Sequence, residues 1–498
     1  MLENKTEDAC KSIRHDFGDL PVYTIDDSTA KEIDDGISIE KIPGEDATWL
    51  HVHIADPTTH ISPEHEISGL LQQKVQTLYL PERHFPMLPE SLSSKKFSLG
   101  STAQKTADGS QYAMSFSAKV DNDGQLLDYK VRPSLIRNVN KVYYDDLDTL
   151  LLKHTTVIQE PLFDPFKSFS HPSELDFSTQ KREQTLLPAY KKDLLAAFEL
   201  SKKHLNLRTR NGALFFGRPS PTVSLLEPLD LPALSYTLPH YVSSLPPLRI
   251  GLDRSQSSPA RMMVAETMIM GGRIASLFSR DQGVDILFRG QTWNPNVSSA
   301  DLAKREELYS LRDPETGWVK YQDMLRYMQV LPAATMSTQP AEHVTMGIQD
   351  GYTRATSPLR RFTDVVVHWQ LKAHLLKQRG IDRQELERMI PVLETRGKRL
   401  NALQNQATQF WVVSLLYRMS ADCHLSDMEW NCIVNLPSKI AQTELGGIME
   451  VATGTLLDFG IRARIEKLKR NVEIGEVVKV RISNIQHLQG KITLEMIE

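Results

Sequence analysis

Short apolar runs alternate with turn residues in the first third of the chain. Three runs rich in β-branched residues and bounded by Asp, Gly or Pro predict strands over residues 20–25 (LPVYTI), 36–42 (GISIEKI) and 48–56 (TWLHVHIAD). Further strands are predicted over 110–121, directly after the DNDG turn at 121–124, and around 131–139 (VRPSLIRNV). The pattern therefore predicts an antiparallel sheet region.

Helical periodicity replaces this pattern in four segments: residues 188–208, 260–280, 358–378 and 396–419. Between Arg218 and Pro247, seven prolines fall within thirty residues, which neither a helix nor a central strand accommodates. We predict that residues 218–250 form a long surface insertion. From about Met428 the chain changes to five short β-type runs with glycine-marked corners, typical of an OB-type barrel.

These patterns together predict an α+β fold. Its parts are an N-terminal lead-in (1–19), a large domain with an antiparallel sheet and surrounding helices (20–425), and a small all-β OB-type barrel (428–498).

The composition argues against a protein that spans a membrane and excludes few other classes. The 498 residues carry a net charge of −4, and no apolar run is long enough to cross a bilayer. The three cysteines lack zinc-site spacing, which suits a reducing compartment. The first residues resemble neither a signal peptide nor a transit peptide, so we expect either a cytosolic protein or a chain that starts inside a longer one.

The loop TIDDSTAKEIDDG (24–36) gathers five acidic residues around the single base Lys31: Asp26, Asp27, Glu32, Asp34 and Asp35. Carboxylates this close repel one another unless a cation or a shared proton lies among them. The loop is therefore either a polar turn between two strands or a metal site.

The stretch TSPLRRFTD (356–364) predicts an anion site. Ser357 suits a helix N-cap and Pro358 the first helical position, so Arg360 and Arg361 would project from the first turn. Free backbone N–H groups and two guanidiniums then hold a phosphate, unless this is an ordinary capped helix with surface arginines. An acidic metal loop and a phosphate clamp in one chain indicate phosphodiester chemistry.

Three aromatic residues, Tyr79, Tyr144 and Phe216, are candidates for stacking on nucleobases, although each is also a candidate core residue. His51 and His53 alternate on one strand face, and we interpret them as ordinary hydrogen-bonded histidines rather than a metal pair.

In chain order, five motifs and the OB-like tail resemble the ribonuclease II family of 3'-to-5' exoribonucleases, with their RNB catalytic domain: TIDDSTAKEIDDG, HVHIADP, YLPERHFPMLPESLS, RNGALFF and GYTRATSPLRRFTD. The segments EIDDGIS, LFRGQ and NQATQFWVV look most like the organellar branch of this family. The resemblance covers roughly residues 12–498. It implies a Mg²⁺-dependent hydrolase that degrades single-stranded RNA to nucleoside 5'-monophosphates.

The resemblance also implies residue roles. Mg²⁺ would be held by Asp26, Glu32, Asp34 and Asp35, of which Asp34 and Asp35, with Arg360 and Arg361 on the scissile phosphate, would be catalytic. Tyr79 and Phe216 would clamp the terminal bases, Tyr144 would lie near the catalytic end of the channel, and Glu266 would contact RNA. In the barrel, the basic stretch IRARIEKLKR predicts RNA contacts by Arg462, Arg464 and Lys467.

Three departures from the family pattern stand out. Glu32 takes a position where the family usually has Asp, Asn401 stands where bacterial members have Glu, and no cold-shock domains precede the catalytic motif. The family resemblance also implies a mitochondrial matrix location and an RNA helicase partner in a degradation complex. A catalytically silent RNA-binding scaffold and an unrelated two-metal phosphoesterase remain as alternatives.

Overall fold

The computed structural model describes residues 8–100, 106, 109–153, 188–225, 246, 248–253, 258–294, 296, 298–422, 425–442 and 448–497. Its strands are β1 (His15–Asp16), β2 (Val22–Asp26), β3 (Asp35–Lys41), β4 (Ala47–Ala55), β5 (Leu78–Tyr79), β6 (His84–Phe85), β7 (Gln111–Asp121), β8 (Leu126–Ile136), β9 (Val139–Tyr143), β10 (Pro221–Leu225), β11 (Leu248–Leu252), β12 (Phe288–Gly290), β13 (Thr335–Ser337), β14 (Trp430–Gln442), β15 (Ile448–Leu456), β16 (Ile461–Glu466), β17 (Val477–Gln486) and β18 (Lys491–Met496).

The helices are α1 (Glu66–Lys74), α2 (Glu90–Leu92), α3 (Tyr144–Leu151), α4 (Pro188–Arg210), α5 (Pro259–Gln282), α6 (Ser299–Ser310), α7 (Tyr321–Tyr327), α8 (Phe362–Leu375) and α9 (Arg383–Asp422). Within these described residues, no helix has the length and apolarity needed to span a membrane.

A seven-stranded sheet in the order β1-β8-β7-β4-β3-β2-β9 forms the centre of the large domain. Strands β3, β4, β7 and β8 pair antiparallel, as the alternating pattern predicts, whereas β1 and β9 add parallel pairs. Val52 and Phe116 from one face are fully buried in a cluster that includes Ala260 and Ile274 of α5. The predicted α+β class is confirmed.

The separate strands predicted after the DNDG turn and around 131–139 are one strand, β8, so that prediction is wrong. Pro133, inside the second of these predicted segments, lies within the ladder opposite Met114. β8 tolerates it because its other neighbour, β1, pairs only with Ser134 and Leu135, which leaves this side mostly unpaired.

Helices α4 and α5 match their predicted ranges closely. Ser258 caps α5 by accepting a hydrogen bond from Arg261 N at 3.0 Å, and Gly283 ends it in the left-handed conformation. α9 is much longer than predicted. Its first half buries Leu386 and Leu393 against the large domain, and its second half buries Val412 and Leu416 in the core of the barrel.

The last five strands close into a barrel in the order β14-β15-β16-β18-β17, as the OB-type pattern predicts. The predicted proline-rich insertion lies mostly outside the described residues. Its ends form the antiparallel pair β10–β11. Of the predicted lead-in, residues 15–16 contribute β1 to the central sheet.

Candidate active site

The two motifs that suggested phosphodiester chemistry meet in space. Asp34, 3% exposed, accepts a hydrogen bond from Leu359 N at 2.8 Å, and its other oxygen lies 3.2 Å from Nε of Arg360. β2 and β3 position the acidic loop because Asp26 ends one strand and Asp35 begins the other. The acidic loop and the arginine segment, 325 residues apart in sequence, therefore form one site.

The arginine segment is a turn rather than the first turn of a helix. Helix α8 begins at Phe362, and the N–H groups of Arg360 and Arg361 both donate to the carbonyl of Ser357. The prediction that Ser357 caps the helix is therefore wrong. Asp364 explains the difference, because its Oδ1 accepts from Ser357 N at 2.8 Å and from Arg361 Nη2 at 2.6 Å, which folds the turn back on the helix.

This turn sends its two arginines to different carboxylates: Arg360 lies against Asp34, and Arg361 lies against Asp364. Sequence reasoning missed Asp364, although the final D of TSPLRRFTD was the available signal. Because Asp364 is completely buried, it fixes Arg361.

The acidic loop is electrostatically strained. Burial and repulsion from neighbouring carboxylates together raise the pKa of each of Asp26, Asp34 and Asp35 to about 7, although the nearby Arg360 guanidinium opposes the rise. A buried carboxylate cluster of this kind is stabilised by an added cation or by protons.

The side chains of the acidic loop offer the type of ligand atom that Mg²⁺ prefers. Carboxylate oxygens are its preferred protein ligands, and Oε1 of Glu32 is buried without a hydrogen-bond partner. Among the residues described, no three acidic, histidine or cysteine side chains converge closely enough to hold a metal by themselves. Mg²⁺ usually takes one or two carboxylates and completes its shell with water and substrate phosphate, so the loop fits that mode and does not form a cage.

Tyr79 lies beside the acidic loop. Its hydroxyl donates to Oε2 of Glu32 at 3.3 Å, and the residue is 44% exposed, which leaves its ring accessible. Backbone hydrogen bonds hold its segment to the arginine turn: Thr77 N donates to the Arg360 carbonyl at 2.9 Å.

Helix α9 supports the same segment from the other side. Asn401 accepts a hydrogen bond from the Gln76 side chain at 3.0 Å, and Trp411 donates its indole N–H to Glu82 at 2.7 Å. Asn401 therefore holds the segment that carries Tyr79.

Tyr144 flanks the acidic loop next to Arg261, whose guanidinium lies 4.2 Å from the ring centroid and 2.5 Å from Asp27. Burial, together with the charges of Asp35 and Asp26, holds the pKa of the Tyr144 phenol above its usual range.

Two residues predicted to contact RNA, Phe216 and Glu266, instead contact other side chains of the protein in this structure. Phe216 packs on a hydrophobic cluster that contains Leu308 and Met324 of α6 and α7. Glu266 is 4% exposed, and both of its oxygens are engaged, one by His204 at 2.9 Å and the other by Arg208. The structure thus places Glu266 in an internal ion pair.

His51 and His53 are buried and hydrogen-bonded to Ser117 and Ser115, as interpreted from sequence. In the barrel, Arg462 and Arg464 line a groove of about 570 Å³ beside Gln409 of α9. Arg464 lies 2.8 Å from Glu466, and Lys467 pairs with Glu495, so Arg462 has the least compensated charge of the three.

Comparison with known proteins agrees with this fold. The RNB domain family matches residues 14–377. A mitochondrial exoribonuclease II of Schizosaccharomyces pombe is 30% identical over 84% of this chain, and the chain spans 42% of that relative's length.

Two solved structures share the fold. An active-site mutant of the Dss1 exoribonuclease from Candida glabrata has a TM-score of 0.74 and 23% identity, with 97% of this chain and 55% of that one covered. Mycoplasma genitalium RNase R in complex with ribose-methylated single-stranded RNA has a TM-score of 0.72 and 18% identity, with 99% of this chain and 73% of that one covered. By its sequence match and its architecture, the chain belongs to the RNB domain family.

Proposed function

We propose that this chain is a hydrolytic 3'-to-5' exoribonuclease that degrades single-stranded RNA to nucleoside 5'-monophosphates. The observation that supports it most is the contact between Arg360 and Asp34, since it joins a carboxylate loop to a phosphate-binding guanidinium in one site. The names of the relatives agree with this activity. Because the chain spans less than half the length of the S. pombe relative, the activity of that whole protein does not transfer automatically.

Each residue in this mechanism has a distinct task. One or two carboxylates among Asp26, Asp34 and Asp35, with Glu32 beside them, would hold Mg²⁺ together with water and substrate phosphate. The bound ion would supply Lewis acidity toward the phosphate and lower the pKa of a water. Arg360 offsets the negative charge that develops on the phosphate oxygens. Asp34, held by Leu359 N and Arg360, orients that guanidinium.

Substrate positioning falls to the aromatic residues and the barrel. The accessible ring of Tyr79 stacks on a base near the 3' end, and Tyr144 borders the acidic loop. Stacking tolerates any base, which suits an enzyme that removes successive nucleotides. The barrel (428–498) adds affinity through Arg462 in its groove.

Digestion of 5'-end-labelled single-stranded RNA with and without Mg²⁺ tests the proposal. We expect a descending ladder together with released nucleoside 5'-monophosphates, and no products in EDTA. Oligonucleotide binding without release of mononucleotides would support the silent scaffold instead, and hydrolysis of small phosphodiesters but not RNA would support the unrelated phosphoesterase.

We also infer a mitochondrial matrix location and a helicase partner in an RNA-degradation complex. The location is inferred from the S. pombe relative, which is named as a mitochondrial enzyme. Fractionation of organelles, followed by affinity purification of the full-length protein from the matrix, tests both inferences.

A further inference from the structure

Two arginines outside the predicted site share one face of a short sheet. Phe288 pairs antiparallel with Thr353, and Arg289 N donates to the Tyr352 carbonyl at 2.8 Å. Directly opposed residues in an antiparallel pair lie on the same face, and alternate residues of one strand do so as well. Arg289, Tyr352 and Arg354 therefore lie on one face, while Phe288 and Thr353 lie in the core on the other.

Neither guanidinium has an internal acceptor. Across the described residues, the side chains of Arg289 and Arg354 make no hydrogen bond or ion pair, although both residues are half-buried. Two other shielded arginines are paired: Arg14 lies 3.1 Å from Asp56, and Arg273 lies 2.6 Å from Asp350. Shielding a guanidinium from water without a hydrogen-bond acceptor costs free energy of folding. An anion from solution would supply the missing acceptor.

Positive charge accumulates at this face. Burial, together with the charges of Arg361 and Arg289, lowers the pKa of Arg354 to about 10. The carboxylates of Asp364 and Glu394 oppose the charges of Arg354 and Arg289. Asp364 is paired with Arg361, and Glu394 accepts a hydrogen bond from Met336 N at 2.8 Å.

The cluster adjoins the proposed active site. Arg361 follows Arg360 in the turn that contacts Asp34, and its charge also acts on Asp35. The N-terminus of α8, a helix of 14 residues that begins after Arg361, adds a favourable dipole for an anion.

We propose that Arg289 and Arg354, together with Arg361, form a second phosphate-binding subsite beside the acidic loop, distinct from the scissile-phosphate position at Arg360. Its ligand is a phosphate ester, either an internal linkage of the bound RNA or the 5'-phosphate of the released nucleotide. This inference rests on the proposed function. Guanidinium forks match phosphate oxygens in geometry, and the face offers at least two of them.

The test measures binding without turnover. In an Asp34→Asn background, Arg289→Met and Arg354→Met are compared with Arg379→Met, a matched control at an exposed arginine that pairs with Asp382. Fluorescence anisotropy measures the affinity for a labelled single-stranded RNA over a series of salt concentrations. Uridine 5'-monophosphate and uridine are then each used to displace that RNA, and their competing strengths are compared. Melting temperatures identify variants that fail to fold, and Arg354→Gln replaces Arg354→Met where that happens.

Two results support the subsite and identify its ligand. If it holds an RNA linkage, each Met variant binds RNA about tenfold more weakly or worse, and the slope of log K against log salt falls by about 0.7. An oligonucleotide that carries one neutral methylphosphonate at the contacted linkage then binds the parent as weakly as normal RNA binds the variant. The variant binds this oligonucleotide no more weakly than it binds normal RNA. If the subsite holds the product, RNA affinity is unchanged and uridine 5'-monophosphate competes about tenfold less well.

Folded variants that stay within twofold of the parent for both ligands overturn the subsite, as does an equal loss of affinity for uridine and its monophosphate. The proposed function fails on a separate result, the absence of mononucleotide release by the unmutated chain.

Discussion

Nε of Arg360 lies 3.2 Å from Oδ2 of Asp34, and this contact spans almost the whole large domain in sequence. It gives the buried carboxylate a cationic neighbour and aims the guanidinium at the acidic loop. In the proposed mechanism Asp34 therefore affects both metal binding and the orientation of Arg360, and its substitution is the most informative test of the site.

Asp34→Asn should nearly abolish RNA hydrolysis while RNA binding stays close to normal, because the change removes a charge and keeps the shape. We expect a loss of about 10³-fold or more, roughly 4 kcal/mol of transition-state stabilisation. Single-turnover cleavage measures it. Asp27→Asn, in the same loop but paired with Arg261 at the surface, is the matched control. Activity within tenfold of the parent would remove Asp34 from the metal site.

Tyr79→Ala should lengthen the final product. Loss of one stacking partner costs about 1 to 3 kcal/mol per base, and a short fragment depends on that ring more than a long RNA does. Long RNA should therefore be degraded only slightly more slowly, while larger end products accumulate on a sequencing gel.

Tyr79→Phe separates the ring from its hydroxyl, which donates to Glu32. If stacking holds the fragment, Tyr79→Phe keeps the parent's product ladder. An altered ladder in Tyr79→Phe would show that the contact with Glu32 sets product length, and an unaltered ladder in Tyr79→Ala would return Tyr79 to a packing role.

Arg462→Gln should weaken RNA binding in a salt-dependent way without changing cleavage at saturating protein. Loss of one phosphate contact should reduce the salt slope by about 0.7. Lys467→Gln should have a smaller effect, because Lys467 is already paired with Glu495. Point substitutions are preferable to removal of residues 428–498, since the barrel core contains Val412 and Leu416 of α9. Slower saturated cleavage in Arg462→Gln would place the barrel in the chemical step.

Stability should depend on Asp56 above mildly acidic pH. Burial alone would raise the pKa of Asp56. The positive charges of Lys372 and Arg14 instead hold this pKa well below its usual range, and Lys372 Nζ lies 2.6 Å from the carboxylate. Because this pKa is lower in the folded than in the unfolded chain, the stabilisation is complete above the unfolded value of about 4 and is lost as pH falls below it.

Asp56→Asn should lower the free energy of unfolding by about 3 to 5 kcal/mol at neutral pH, since it leaves the buried Lys372 without its carboxylate and leaves Arg14 with Asp8 alone. Urea unfolding from pH 3 to 8 should show a difference from the parent that is constant above about pH 5 and shrinks below about pH 4. Asp382→Asn, at an exposed pair with Arg379, should change little. A difference that varied between pH 6 and 8 would contradict this assignment.

Local patterning determined much of this protein. Runs of β-branched residues bounded by Asp, Gly or Pro gave the strands β2, β3 and β4, since such side chains favour an extended backbone. Glycine-marked runs gave the barrel, and the charge pattern identified the acidic loop and the arginine pair. These features depend on neighbours in sequence, so the sequence alone reveals them.

Contacts between distant segments decided the rest. Two buried carboxylates moved the start of α8 to Phe362, because Asp364 accepts from Ser357 N and Asp34 accepts from Leu359 N, an N–H group that a Ser357 cap would otherwise bind. Arg208 and His204 enclosed Glu266, whose charge requires partners once it is buried. Arg289 and Arg354 came onto one face through pairing of segments more than sixty residues apart, for which the sequence holds no periodic signal. Only the tertiary structure decided which charges are neutralised inside the fold and which remain for a ligand.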